Sequence, residues 1–430
     1  MRAITTIIGK LIRAGVRIKS QGSSFPGFIV EKINPAYLKS SLDLLPKGVV
    51  IISGTNGKTT TTKIVSSLLE SQGLRVFTNP TGSNFIRGVI SAILEKATLT
   101  GKLNFDIAVL ELDEAYAELF VKQYKPKYAL LLNVARDQLD RFGEIDKTAS
   151  MLNAVSKSTT DLVVLNANDS SVAELETSAN RVYFDINKSL KNLFLNDDEL
   201  HGKIKNNLSN KSVSKVSAHQ TICKLLKIKN GTAQIEYRDK KYSFSPQLSG
   251  VYNLYNATAA LALATQIAAD SDFENLLKSL EKIKPAFGRG EIIELENATV
   301  ELILVKNPAG FRLALASYPL RENIKIMIAI NDNYADSRDI SWLWDVDFAN
   351  LNTKNAHIST SGTRAWDMAL RLAHDEMKVS NVGENLANAI DNLVANAKNQ
   401  TIRIFASYTA MLESRKILGK YTKISEAGAE

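Results

Sequence analysis

Val49-Val50-Ile51-Ile52-Ser53-Gly54-Thr55-Asn56-Gly57-Lys58-Thr59-Thr60 joins an apolar, strand-like run to a helix-like segment over 61–71. A phosphate-binding loop needs that context. Gly54 and Gly57 let backbone N–H groups curl around phosphate oxygens, and the following helix presents its positive end to them. In such a loop Lys58 reaches the β- and γ-phosphates and the Thr59 hydroxyl can ligate Mg2+. Thr55, Asn56 and Thr60 complete the candidate ATP-binding run. Ile52 stands where the generic pattern has its first glycine, so the loop is a variant of that pattern. ATP binding and hydrolysis are expected, against the blander alternative of a ligand-free glycine turn.

A chain of 430 residues, 45% hydrophobic and 23% charged, has material for two or three domains with their own cores. No signal-peptide pattern and no apolar run long enough to span a bilayer are found, so a soluble, cytoplasmic protein is expected. The single cysteine, Cys223, excludes internal disulfides and a cysteine-rich metal site. Its apolar, helix-like surroundings suggest a small buried residue rather than a reactive thiol.

The formal net charge is +8. Arg2, Lys10, Arg13, Arg17 and Lys19 are interleaved with Ile4, Ile7, Ile8, Leu11, Ile12 and Val16 at roughly helical spacing, with no acid among the first twenty residues. Two readings stay open for this 1–45 segment and its basic helix. It could rest on anionic lipid at the inner face of the cell membrane, or pack its apolar face on its own protein. No basic run is interleaved with aromatics, so nucleic-acid binding is not expected.

Beyond the loop, strand-like segments over 105–112, 127–134 and 161–166 alternate with helical periodicity. This predicts a doubly wound α/β domain over 46–292. Within it, 187–247 is rich in Lys, Asn and Ser and reads as an insertion with short strands over 233–237 and 241–244. A second α/β pattern over 293–430 has strands at 300–305, 324–330, 357–359 and 402–405. Ligands of doubly wound sheets gather at the carboxyl ends of the strands. That gives weight to Glu111-Leu112-Asp113-Glu114, to Asn133-Val134-Ala135-Arg136-Asp137-Gln138-Leu139-Asp140-Arg141, and to Leu165-Asn166-Ala167-Asn168-Asp169.

Taken in order with Gly250-Val251-Tyr252-Asn253-Leu254-Tyr255-Asn256-Ala257 and Phe287-Gly288-Arg289, these clusters resemble the central domain of the Mur ligases. The resemblance implies that Lys58 contacts phosphates, Thr59 and Glu111 hold Mg2+, Asn253 and Asn256 lie by the adenine, and Arg289 reaches the γ-phosphate. An ammonium and a guanidinium converging on a transferring phosphoryl group supply the charge such a reaction needs.

Val305-Lys306-Asn307-Pro308-Ala309-Gly310-Phe311, the run from Asn331 through Asp336, Arg338, Asp339, Trp342, Trp344, Asp345 and Asp347 to Phe348, Ser361-Gly362-Thr363-Arg364 and Tyr408-Thr409-Ala410-Met411-Leu412 are similar to the MurT family. That family supplies the synthetase subunits of lipid II isoglutaminyl synthases. The likeness implies a Mur ligase-type central phosphate-loop domain followed by a Rossmann-like C-terminal domain. It implies ATP-dependent amidation of the D-glutamate α-carboxyl of lipid II through an acyl phosphate, with ammonia from a GatD-like glutaminase in a heterodimer. It also implies that an acidic residue serves the partner's Cys–His pair. Asp345 is the choice for that role, with Asp336, Asp339 and Asp347 as rivals. The alternative is a free-standing folylpolyglutamate-type amino-acid ligase.

Only about 45 residues precede the loop, too few for a domain that would hold a UDP-linked precursor. Gln138 stands where many amino-acid-adding Mur ligases carry histidine, and no lysine aligns with their carbamoylated lysine, so a second Mg2+ site is not carried over. Relatives with a zinc ribbon use four cysteines in the central insertion, and this chain has one, so no zinc is expected.

Overall fold

The run before the phosphate loop forms β1 (Val49–Ser53), every residue of it buried. A strand covered on both faces needs apolar side chains at each position, which is why no alternation marks it. The computed structural model describes residues 2–19, 24–79, 83–135, 145–194, 221–229, 231–248, 250–269, 271–284, 288–318, 324–351 and 357–424.

Ahead of β1 lie α1 (Arg2–Lys19), α2 (Phe25–Ile33) and α3 (Tyr37–Leu42). After it come α4 (Lys58–Ser71), β2 (Val76–Thr78), α5 (Ile86–Lys96), β3 (Ile107–Glu111), α6 (Glu114–Gln123) and β4 (Tyr128–Leu131). Then follow α7 (Ile145–Ser158), β5 (Leu162–Asn166), α8 (Ser170–Ala173), β6 (Asn180–Ile186), β7 (Thr221–Lys229), β8 (Thr232–Tyr237), β9 (Lys240–Phe244), α9 (Val251–Ile267) and α10 (Phe273–Leu280). The strands form one nine-stranded sheet in the order β2-β3-β1-β4-β5-β6-β7-β8-β9, parallel as far as β7 and antiparallel beyond it. Two apolar cores flank it. One packs α4, α9 and α10 on the sheet, and the other packs α5, α6, α7 and the N-terminal helices on the opposite face. This is the doubly wound arrangement expected. α9 is buried along almost its whole length, as its nearly uninterrupted apolar sequence requires.

Three findings refine or differ from expectation. Cys223 lies on a strand, β7, and not on a helix: it and Leu225 are buried while Lys224 between them is half-exposed. A short run such as Thr-Ile-Cys-Lys-Leu-Leu fits both periods, and here the period of two wins because β6 and β8 are there to pair with it. By the same pairing, β7 to β9 extend the central sheet, with β8 and β9 at the short strands expected over 233–237 and 241–244; residues 195–220 of the expected insertion lie outside the described residues. Finally, α1 does pack on its own protein, but by the face opposite its apolar stripe. Thr5, Thr6 and Gly9 face inward: the Thr6 hydroxyl lies 2.9 Å from the Tyr37 hydroxyl, and a Cβ on Gly9 would press into Leu94 and Val30.

The second sheet is built from β10 (Arg289–Leu295), β11 (Ala298–Leu304), α11 (Pro308–Ser317), β12 (Ile324–Ala329), β13 (His357–Ser361), α12 (Ala365–His374), β14 (Val379–Gly383), α13 (Leu386–Ala395), β15 (Gln400–Ala406) and α14 (Tyr408–Leu418). Its order is β10-β11-β15-β12-β13-β14, parallel except for the antiparallel β10–β11 edge. Arg289 therefore opens the second sheet, although the sequence pattern placed it in the 46–292 unit.

Burial also raises the Cys223 thiol pKa far above its usual value. The native thiol is expected to react with a disulfide reagent at least about a hundredfold more slowly than after denaturation. Comparable rates in the two states would mean that β7 is not packed into the sheet.

Candidate active site at the junction of the two sheets

Strand register places the first components. β1 lies between β3 and β4, with Ile52 opposite Glu111 and Ser53 opposite Leu131, so the loop leaves β1 beside the end of each neighbour. β1 is followed by a crossover to one side of the sheet and β4 lies on the other, so the loop opens at the point where strand order reverses. Gly54 and Gly57 have φ of 130° and 92°, values that side chains seldom tolerate. A Cβ on Gly54 would meet the backbone of Asn133, and one on Gly57 would collide with the Asn256 side chain.

The loop is tied to the segment after β4. Thr55 N–H donates to Asn133 O at 2.9 Å, Asn56 N–H donates to Asn133 Oδ1 at 2.8 Å, and Asn133 Nδ2 donates to Asn56 O at 2.9 Å. Asn166, at the end of β5, donates to Leu132 O and accepts from the Tyr255 hydroxyl of α9. Asp169 accepts from Val134 N–H at 2.8 Å and caps α8.

At the loop's centre the Lys58 ammonium is buried. It donates to Gly54 O at 2.7 Å and to Glu114 Oε2 at 3.0 Å. Burial alone would raise the Glu114 pKa, but the charges of Lys58 and Lys306 outweigh it and hold the carboxyl below its ordinary value. Thr59 donates to Glu111 Oε1 at 2.9 Å, and Asn79 fixes Glu111 by bonding both its N–H and its carbonyl. Arg289, from the second sheet, donates to the same Thr59 hydroxyl at 3.2 Å.

Other contacts close the junction. Asn307 caps α11 by accepting from Gly310 N–H at 2.8 Å and donates to Asn56 Oδ1 at 3.0 Å. Lys306 and Gly310 line one wall of a cleft whose other walls are Asn56, Gly57 and Thr60 of the loop, Asn133 to Ala135, Asn166, Asn168 and Asp169, and Tyr252, Tyr255 and Asn256 of α9. Thr60 lines that cleft, and its Oγ1 is buried with no hydrogen-bond partner among the described residues.

Lys58, Thr59, Glu111 and Arg289 thus meet, and Asn256 lies on the cleft wall. Asn253 does not line the cleft: it is wholly buried on the inner side of α9. Gln138 and Phe287 fall outside the described residues. Asp345 lies elsewhere, at the end of a 3-10 turn (Ser341–Asp345), beside a surface depression shared with Trp344, Asp347, Arg371 and Asp375. Its rivals have structural duties: Asp336 holds Thr409 N–H and hydroxyl, Asp339 caps Ser341 N–H, and Asp347 caps Ala349 N–H. Glu114, Lys306 and Asn307 join the site although the motifs that contain them do not single them out. Asn307-Pro308 is the sequence signature of a capped helix start, the one signal that marked this wall.

Glu114→Gln leaves a buried, uncompensated ammonium, with an expected cost of about 3 kcal/mol read as a lower melting temperature. ATP should restore more of that loss than it adds to the parent, because phosphate replaces the missing anion. Since the folded pKa is depressed, the pair's contribution is complete above the ordinary carboxylate range and is lost as pH falls through the lowered value. The variant's deficit should therefore shrink in acid; a deficit independent of both pH and ATP would show that Glu114 does not neutralise Lys58.

Family models for the Mur ligase middle domain and the MurT ligase C-terminal domain match residues 52–264 and 304–411. The chain is 32% identical to the lipid II isoglutaminyl synthase (glutamine-hydrolyzing) subunit MurT of Streptococcus pneumoniae, over 93% of this chain and 92% of that one. It is 28% identical to the same subunit of Staphylococcus aureus, over 96% and 98%. Among solved structures it shares its fold with the ADP complex of MurF ligase from Thermotoga maritima, at TM-score 0.66 and 16% identity, over 91% of this chain and 85% of that one. A pseudomurein peptide ligase type C from Methanothermus fervidus matches at TM-score 0.65 and 20% identity, over 94% and 86%. With the phosphate loop, the Glu111–Thr59–Arg289 contact and the C-terminal motifs in these positions, the chain belongs to the MurT family of Mur ligase-like proteins.

Proposed function

We propose that this protein is the synthetase subunit of a lipid II isoglutaminyl synthase: it uses ATP to amidate the D-glutamate α-carboxyl of the lipid II stem peptide. The observation that carries this reading is the clustering of Lys58, Thr59 and Glu111 around Arg289, which lines the cleft, in a chain that matches MurT subunits along nearly its whole length. A carboxylate is a poor acyl donor because its leaving group would be oxide. Its oxygen first attacks the γ-phosphorus of ATP, the bond to the ADP oxygen breaks, and an acyl phosphate forms. Neutral ammonia then attacks the carbonyl carbon, phosphate leaves, and the nitrogen sheds a proton as the amide forms.

The residues have separable tasks. Lys58 exchanges Glu114 and Gly54 O for phosphate oxygens, and Arg289 closes on the γ-phosphate from the second sheet. Thr59 and Glu111 are a hydroxyl and a carboxylate, the hard oxygen donors that Mg2+ accepts beside phosphates and water. Mg2+ held there would neutralise phosphate charge. Asn256 and Tyr255 border the side of the cleft suited to the nucleoside. A cleft closed by two sheets limits the access of water, which would hydrolyse the acyl phosphate.

Nitrogen comes from elsewhere. Glutamine hydrolysis by the common route needs a cysteine nucleophile, and the chain's single cysteine is buried in β7 with its thiol pKa raised by burial. A GatD-like glutaminase partner supplies ammonia, and Asp345, half-buried at the rim of a surface depression, serves that partner's Cys–His pair.

Mass spectrometry of lipid II incubated with ATP and the purified chain tests this reading, using ammonium, glutamine alone, and glutamine with the co-expressed partner. One added amide that requires the partner only when glutamine is the donor is expected. ATP hydrolysis without amidation under all three conditions would instead indicate an amino-acid ligase. Lys58→Ala should abolish ATP turnover and leave partner binding intact. Asp345→Asn should depress glutamine use more than ammonia use, and an equal loss with both donors would refute the role given to Asp345.

A further inference from the structure

α1 carries its apolar stripe on the side away from the protein. Ile4, Ile7, Ile8 and Leu11 recur at the spacing of one helix face and are 65%, 43%, 36% and 68% exposed. The helix is not loosely placed. Its opposite face is fastened by Thr6 to Tyr37, by Arg2 Nη1 to Ser40 O at 3.1 Å, by Arg13 to Glu95, and by the close approach of Gly9 to Leu94. The turn that carries Gly101 also abuts the docked face at Arg2 and Thr6, and Leu99 on that turn is 65% exposed. Contiguous exposed apolar surface of this kind marks an interaction site.

Charge selects the occupant. Residues 2–19 contain five cations and no acid, and Lys96 and Lys102, at the end of α5 and on the turn after it, are exposed nearby. The neighbouring Glu95 is already engaged by Arg13 and Lys96. Burial, and then the nearby Arg13 guanidinium, lower the Lys10 pKa, a crowding that an anionic surface relieves. No helix among the described residues is long and apolar enough to cross a membrane, so contact with lipid would be lateral. A helix with an apolar stripe, flanking cations and no acids has the composition that lies in the plane of an anionic interface.

We propose that α1 is a bilayer-docking helix that inserts Ile4, Ile7, Ile8 and Leu11 into an anionic lipid surface. The assignment does not rest on the amidation reading, and its test uses vesicles free of lipid II. The full-length protein should co-float with vesicles of phosphatidylglycerol and phosphatidylcholine in equal parts, and at least about tenfold less with phosphatidylcholine alone or in high salt. Ile4→Glu combined with Leu11→Glu should cut flotation at least about tenfold, with melting temperature and ATP turnover unchanged because both positions are exposed. As a second measurement, an environment-sensitive dye on Leu11→Cys, selective because Cys223 is buried, should shift to the blue when the mixed vesicles are added. Failure of the parent protein to float, equal flotation of the double variant, or an unresponsive dye would each overturn the proposal. So would a parent dimer in light scattering that the double variant converts to monomer, which would assign the stripe to a second copy of the chain.

Discussion

A buried ammonium must have a partner at all times, and the cleft is organised around that requirement. Lys58 is enclosed by the phosphate loop, where an uncompensated charge would cost several kcal/mol. Gly54 O and Glu114 meet that demand in the absence of phosphate. Glu114 begins α6, immediately after the β3 strand that delivers Glu111, so one strand end provides both the anion that steadies the lysine and the carboxylate suited to the metal. Lys58 itself, aided by Lys306 approaching from the second sheet, keeps that anion charged.

Placement of these groups comes from backbone register more than from side-chain packing. The parallel pairing of β1 with β3 and β4 sets Glu111 and Asn133 beside the loop. Asn133 then adds two side-chain bonds to its backbone one and fixes the shape of the loop. Buried on both faces, such a sheet gives the loop a rigid base.

Much of this was legible in the sequence. Continuous apolar runs over 105–112, 127–134 and 161–166 correspond to β3, β4 and β5, because doubly covered strands leave little room for another pattern. The phosphate loop and Glu111 could be found because glycine freedom and strand-end carboxylates leave local marks. Other features depend on neighbours that a linear pattern does not show. Cys223 looked helical because a six-residue apolar run fits both periods, and only the flanking β6 and β8 decide between them. The stripe on α1 suggested an inward face, yet Thr6 and Gly9 allow a closer approach than Ile4 or Leu11 would, so the small face is the one that docks. Asn253 and Asn256 are indistinguishable as letters, and only the packing around α9 leaves Asn256 on the cleft wall while Asn253 is wholly buried.

The contact between Thr59 and Arg289 spans 230 positions of sequence and crosses from one sheet to the other. Each sheet has its own cores, so by packing alone the chain divides between α10 and β10. The chemistry does not divide there. An N-terminal fragment cut at that seam would keep the loop, the lysine and both glutamates but lose the guanidinium, and the remainder would keep the guanidinium with nothing to act on. On the proposed mechanism the unit of folding and the unit of reaction therefore differ, and only a chain that spans the seam contains both.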